Sequence, residues 1–161
     1  MPNWCVGDLK IRGEYGKIKE FITQEFFIEE VSAFKVKCNN VVINDDRGIK
    51  IDVGECGMWL KRTRAVIKKD IDVWLSFKNK ENREKEIVTV NLGELKSAWG
   101  IDVELLTTLS FKYQIDIKIY AYECGMEFNV DFEVHKGEII KCKEIKFEDY
   151  QWECTNSNLG G

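Results

Sequence analysis

The chain has 161 residues, with 28 acidic and 24 basic side chains and 44% hydrophobic residues. That length suits one domain, and that composition a packed core under a solvated surface, which excludes the disordered and collagen-like classes. The net charge of −4 argues against bulk nucleic-acid binding, while leaving room for a local basic patch.

The first predicted strand is Asp8–Arg12, with Leu9 and Ile11 on one face and Lys10 and Arg12 on the other. A loop at Gly13–Gly16 leads into a helix over about Lys17–Phe26. There Ile18, Phe21, Ile22 and Phe26 form one apolar stripe. The mixed acidic and apolar segment Glu25–Glu30 reads as the helix end, or as a docking edge for a basic partner. From Val31 to Leu92 the signals are mostly strand. Phe34, Val36 and Cys38 alternate with lysines, Ile49, Ile51 and Val53 alternate again, and Ile71, Val73, Leu75 and Phe77 alternate with Asp72, Trp74 and Ser76. Asn39-Asn40 and Asp45–Gly48 are turns. Lys78–Lys85 is a charged connector, and Val88, Val90 and Leu92 form a short strand.

A second helix is predicted over Asp102–Tyr113, with Val103, Leu106, Leu109 and Tyr113 as its stripe and Asp102 as cap or first-turn acid. Three strands follow, around Ile115–Ala121, Phe128–Val134 and Ile140–Phe147. A change of phase between Ile140/Cys142 and Ile145/Phe147 predicts a bulge near Lys143. This order predicts an α+β fold, an antiparallel sheet with two helices on one face.

Pro2-Asn3-Trp4-Cys5 lacks the basic lead and apolar run of a secretory signal. The apolar runs fall far short of the ~20 residues that span a bilayer. A soluble, cytoplasmic protein without membrane association is expected. The six cysteines include no CxxC pair, and His135 is the single histidine, sitting in a turn without a patterned partner. Reduced, mostly buried thiols are expected, with no metal site and no cofactor.

Ile49–Met58 and Ile117–Met126 are identical at seven of ten positions. Each reads as a strand running into a tight glycine turn, with Gly57 and Gly125 at positive φ and the Cys and Met packed at the hairpin end. Glu55 and Glu123 form a general acid/base pair only if the two hairpin ends meet. Lys61-Arg62-Thr63-Arg64 is a basic stretch just after Trp59. It is a candidate for holding phosphate beside a stacked base, or a solvated strand face. Trp99 is a candidate interface anchor or a loop anchored on the core, and Trp74 is the candidate for an exposed aromatic on a sheet face.

Pro2-Asn3-Trp4-Cys5 with Leu9-Lys10-Ile11-Arg12-Gly13 resembles the opening of the YubB-type (Api-like) ferredoxin-like domain family. Leu95-Lys96-Ser97-Ala98-Trp99 resembles that family's Thr-Ala-Trp segment, and Tyr122-Glu123-Cys124-Gly125-Met126-Glu127-Phe128 its Tyr-x-Glu-x-Gly-x-x-Phe hairpin. The resemblance implies a ferredoxin-like sandwich and is carried by about 2–30 and 90–140; one such domain is expected over 1–154 with an enlarged β-rich middle at about 31–89, followed by a flexible tail at 155–161. The resemblance also implies a phage or plasmid setting, and no known reaction. The expected function is that of a non-catalytic binding protein from a mobile element, occluding a host immune effector or another host or phage protein. The alternatives are a small-ligand or nucleotide-binding module, and an enzyme using a carboxylate pair. The candidate binding residues are Trp59, Lys61, Arg62, Arg64, Trp74, Trp99, Glu55 and Glu123, with no catalytic residue assigned.

Overall fold

The computed structural model describes residues 2–32 and 35–161. The part of the predicted alternation that falls on Phe34 lies outside the described residues. In chain order the elements are β1 (Trp4–Glu14), α1 (Tyr15–Glu25), β2 (Phe26–Ser32), β3 (Lys35–Asn40), β4 (Gly48–Ile51), β5 (Met58–Leu60), β6 (Ala65–Ile67) and β7 (Ile71–Trp74). A 3-10 helix (Lys80–Lys85) follows, then β8 (Ile87–Ala98), α2 (Val103–Tyr113), β9 (Asp116–Glu123), β10 (Phe128–His135), β11 (Glu138–Lys146) and α3 (Tyr150–Glu153).

Nine strands form one sheet in the order β11-β10-β9-β1-β8-β6-β5-β2-β3, and β4 pairs with β7 in a second, two-stranded sheet. Every ladder is antiparallel. This overturns the ferredoxin-like expectation. That sandwich alternates its helices with few strands, whereas here seven strands lie between α1 and α2. The middle segment is not an insertion beside a small sheet, because β2, β3, β5 and β6 continue the main sheet outward from β8.

One face of the sheet carries the core. Leu9 and Ile11 of β1, Ile117 and Ile119 of β9, and Phe132 and Val134 of β10 are fully buried there. They share one cluster with Ile18, Phe21 and Ile22 of α1, Leu106, Leu109 and Tyr113 of α2, and Ile49, Ile51 and Ile71 of the small sheet. The opposite face is partly covered by the C-terminal segment. Tyr150 donates its hydroxyl to Asn129 Oδ1 at 2.9 Å, Asn156 Nδ2 donates to the Tyr122 hydroxyl at 3.0 Å, and Gly161 N–H donates to the Trp4 carbonyl at 2.9 Å.

Helix α1 starts two residues earlier than the periodicity predicts and stops where Phe26 turns to an extended φ of −112°. The β-favouring run Phe26-Phe27-Ile28 pairs with β5 instead of prolonging the helix. The α2 boundary matches expectation, since Asp102 Oδ1 accepts from Leu105 N–H at 2.9 Å. An Asp102→Ala variant is expected to lose about 1 kcal/mol of stability, the usual worth of such a cap. A denaturant midpoint equal to the parent's would refute that role.

Strand β8 is far longer than Val88–Leu92. Val90 and Leu92 face the core, and so do Leu95 and Ser97 in the opposite phase. The register against β1 slips between Asp8 and Lys10, and Gly93 takes φ +84° at that slip. A bulge therefore resets the alternation and lets one strand continue, where the pattern alone reads as a stop. Strand β11 also bulges, but at Ile140 rather than near Lys143. Glu133 faces Lys141 there while Val134 faces Ile139. Because β11 is an edge strand, exposed along almost its whole length, burial does not enforce its phase.

All six cysteines are free, yet just Cys5 and Cys154 are buried, and Cys38 and Cys142 are exposed. The expectation of mostly buried thiols fails because β3 and β11, which carry these two, are the sheet's edges. Burial, with Glu123 nearby, pushes the Cys5 thiol up to about 12. No helix among the described residues is long and apolar enough to cross a membrane.

Candidate functional site

Pairing of β6 with β8 sets Ala65 opposite Ser97. It thereby brings the turn after β5 against the end of β8. Ala98 N–H donates to the Arg64 carbonyl at 3.1 Å, and Trp99 N–H donates to the Asn3 carbonyl at 2.8 Å. The result is a surface cleft of about 480 Å³ lined by Arg62, Arg64, Trp99 and Ile101 among others. Three of the sequence-predicted residues, from two distant segments, meet here.

Trp99 is 63% exposed and holds φ +70°. A bulky residue in the left-handed region is a costly outlier, of order 1–3 kcal/mol. Two flanking backbone hydrogen bonds hold it there, one through Ala98 and one through its own N–H. Arg64 is exposed, and its side chain has no ion-pair partner among the described residues. Arg62 also takes positive φ, and its Nη2 donates to Glu25 Oε2 at 2.6 Å. Lys61 is turned away from the cleft, with Nζ donating to the Gln24 carbonyl at 2.5 Å. Asp102, on the rim, is committed to capping α2.

Glu25 is the residue that the sequence pattern misplaces. It is 4% exposed, and besides Arg62 it accepts from Lys112 Nζ at 2.7 Å and from the Tyr113 hydroxyl at 2.6 Å. Burial works to raise its pKa, but the hydrogen bonds from Lys112 and Tyr113 and the Lys112 and Arg62 charges outweigh it, so the carboxyl sits below its ordinary range. The Lys112 ammonium is correspondingly raised, chiefly by its hydrogen bond to Glu25. Glu25 thus belongs neither to a solvated helix end nor to an acidic docking edge. It orients Arg62 from below. The signal is present in the sequence, since Glu25 falls seven residues after Ile18, on the apolar stripe where an acid needs a partner.

The remaining candidates are dispersed. Trp59 stands on the outer face of the sheet in one cross-strand row with Val66, Lys96, Val6 and Tyr122, and its Nε1–H donates to the Cys56 carbonyl at 3.2 Å. Trp74 is 70% exposed, as its polar phase predicts, and Arg47 lies over its ring at 5.3 Å.

Glu55 is exposed in the turn before β5, whereas Glu123 is 1% exposed at the end of β9. Strands β9 and β5 are four steps apart in the sheet, roughly 19 Å at the usual strand spacing. The carboxylates therefore do not form a pair. Glu123 accepts from Gly125 N–H at 3.1 Å and Met126 N–H at 2.5 Å, so it closes its own turn.

The two echoing segments also diverge. β9 and β10 form a hairpin, while β4 and β5 lie in different sheets. Gly57 has φ +93°, but in the second turn the positive φ falls on Glu127, not Gly125. At Gly125 a Cβ would stand 2.8 Å from Asn3 Nδ2, the end of a side chain, so the fit there is close but adjustable. Met126 is 69% exposed rather than packed, because the turn lifts it off the core.

No family model, curated protein or solved structure matches the chain. Asn3 lies against Gly125, and its carbonyl accepts from Trp99 N–H.

Proposed function

We propose that the chain is a non-catalytic binding protein whose recognition surface is the Arg62–Arg64–Trp99 cleft, and that the cleft holds an anionic group of its partner. The observation that carries this is a convergence of three side chains. Arg64 has no ion-pair partner among the described residues, Arg62 is braced by buried Glu25, and Trp99 is exposed and strained. Arginine and tryptophan are the residue types that dominate binding hot spots. Backbone strain held in place by the surrounding structure is a mark of functional positions. The counter-defence role has the family resemblance as its sole support, and the sheet order departs from the fold that resemblance implies.

Trp99 supplies the test. As a loop anchor, its removal costs stability. As a recognition residue, it is maintained against strain. A Trp99→Gly variant is therefore expected to gain about 1 kcal/mol of stability by relieving the left-handed conformation. The same variant should lose the perturbation of cleft resonances that oligoglutamate or a nucleoside monophosphate produces in the parent. A destabilised Trp99→Gly, or a parent whose Arg64 and Trp99 side-chain signals ignore both probes, would refute the assignment.

A further inference from the structure

Two arginines and an exposed tryptophan line one hollow, and we infer that its ligand is a nucleotide-type phosphate, with the phosphate on Arg62 and Arg64 and the base against Trp99. This rests on the reading of the cleft as an anion-binding surface and narrows it.

Three observations select this ligand over a bare anion or an acidic peptide. Glu25 engages a single nitrogen of Arg62, so the rest of that guanidinium fork is available beside the whole of Arg64. A guanidinium matches phosphate oxygens in geometry as well as charge. Trp99, 63% exposed, is a stacking surface that a carboxylate side chain leaves unused, whereas any base has a π-face to place on it. The hollow is shallow and open to solvent, and Arg62, Arg64 and Trp99 all line it, so a ligand lying along it can meet all three. The local charge also allows it, because Arg62, Arg64 and Lys112 outnumber the carboxylates of Glu25 and Asp102.

The experiment is a titration of the isotopically labelled chain, followed at the Trp99 indole and Arg64 side-chain resonances. The probes are AMP, GMP, CMP and UMP, inorganic phosphate, oligoglutamate and a 5′-phosphorylated trinucleotide. The four nucleotides are expected to saturate both signals with affinities within about tenfold of one another, because stacking tolerates every base. Inorganic phosphate should bind more weakly than any of them. Arg64→Glu and Trp99→Ala are each expected to weaken nucleotide binding by about tenfold or more, the loss typical of a charge-assisted contact or a stacked base. A trinucleotide that binds more tightly than the mononucleotides identifies a strand end as the source of the phosphate, and equal binding identifies the free nucleotide. Response to oligoglutamate without response to nucleotides overturns the nucleotide assignment and leaves the anion-binding surface standing. Silence toward every probe overturns both. Nucleotide binding indifferent to the two substitutions places the ligand elsewhere and also overturns the inference.

Discussion

A Gly7→Ala variant is expected to lose about 3 kcal/mol of stability or more, at the upper end of what overpacking a tight interior costs. Gly7 lies in the middle of β1, opposite Leu95 on one side and Ala121 on the other. A Cβ at this position would collide with the Tyr120 carbonyl oxygen and stand 2.7 Å from Ala121 Cα. These are backbone atoms of β9, so no side-chain rotation relieves the contact. The β1–β9 ladder would have to open next to the fully buried Leu9 and Ile119.

Gly54 is the matched control. It sits at φ +63°, and a Cβ added there would meet nothing within 4 Å. Alanine at Gly54 therefore carries the left-handed penalty alone, about 1–2 kcal/mol. Urea unfolding of the two variants separates steric from conformational cost. Equal, small losses would show that β1 and β9 do not approach as closely as described.

What is legible in the sequence is what local chemistry decides. The stripe Leu106-Leu109-Tyr113 and the cap Asp102 place α2 within a residue, since cap and stripe lie in one continuous segment. The alternations in Ile117–Ala121 and Phe128–Val134 likewise assign β9 and β10 and their inward faces. The failures come where a distant strand decides. Val90-Leu92 and Leu95-Ser97 belong to one strand because a bulge at Gly93 reverses the phase, and that reversal has meaning only against β1. Leu75 and Phe77 keep the alternation of β7 but lie beyond its end at Trp74, because β4 is four residues long and offers no further partner. The order of nine strands is set by non-local register, which composition and periodicity do not encode.

The candidate site divides in the same way. Arg62, Arg64 and Trp99 can each be singled out as chemistry-bearing residues, but their meeting depends on the pairing of Ala65 with the distant Ser97. The grouping of Trp59 with the basic stretch fails for a local reason. Successive strand residues point to opposite faces, and the chain then turns at Lys61, so the arginines leave the face that Trp59 occupies. The duplicated Glu-Cys-Gly-Met segment misleads because similar sequence meets dissimilar partners. One copy pairs within its own hairpin, and the other joins strands of two different sheets.

Removing the Glu25 carboxylate is expected to cost about 1–3 kcal/mol, the penalty for leaving a buried hydroxyl without its acceptor. In Glu25→Ala the hydroxyl of Tyr113, a residue 3% exposed, loses its acceptor inside the core. Arg62 and Lys112 lose less, since their side chains are each 57% exposed and recover water. Glu25→Gln should cost less than Glu25→Ala, because the amide oxygen still accepts from Tyr113.

The two variants also carry a pH signature. The folded carboxyl titrates below its unfolded value, so the folded state favours the ionised form. Its contribution to stability is complete above the ordinary glutamate range and is lost as pH falls through the depressed folded value. The stability gap between the parent and Glu25→Gln is therefore widest near pH 7 and narrows on acidification toward about pH 3. Denaturant midpoints across that interval read the gap directly. A gap that stays constant over the whole interval would mean that hydrogen bonding alone, without charge, joins α1 to α2 and to the arginine turn.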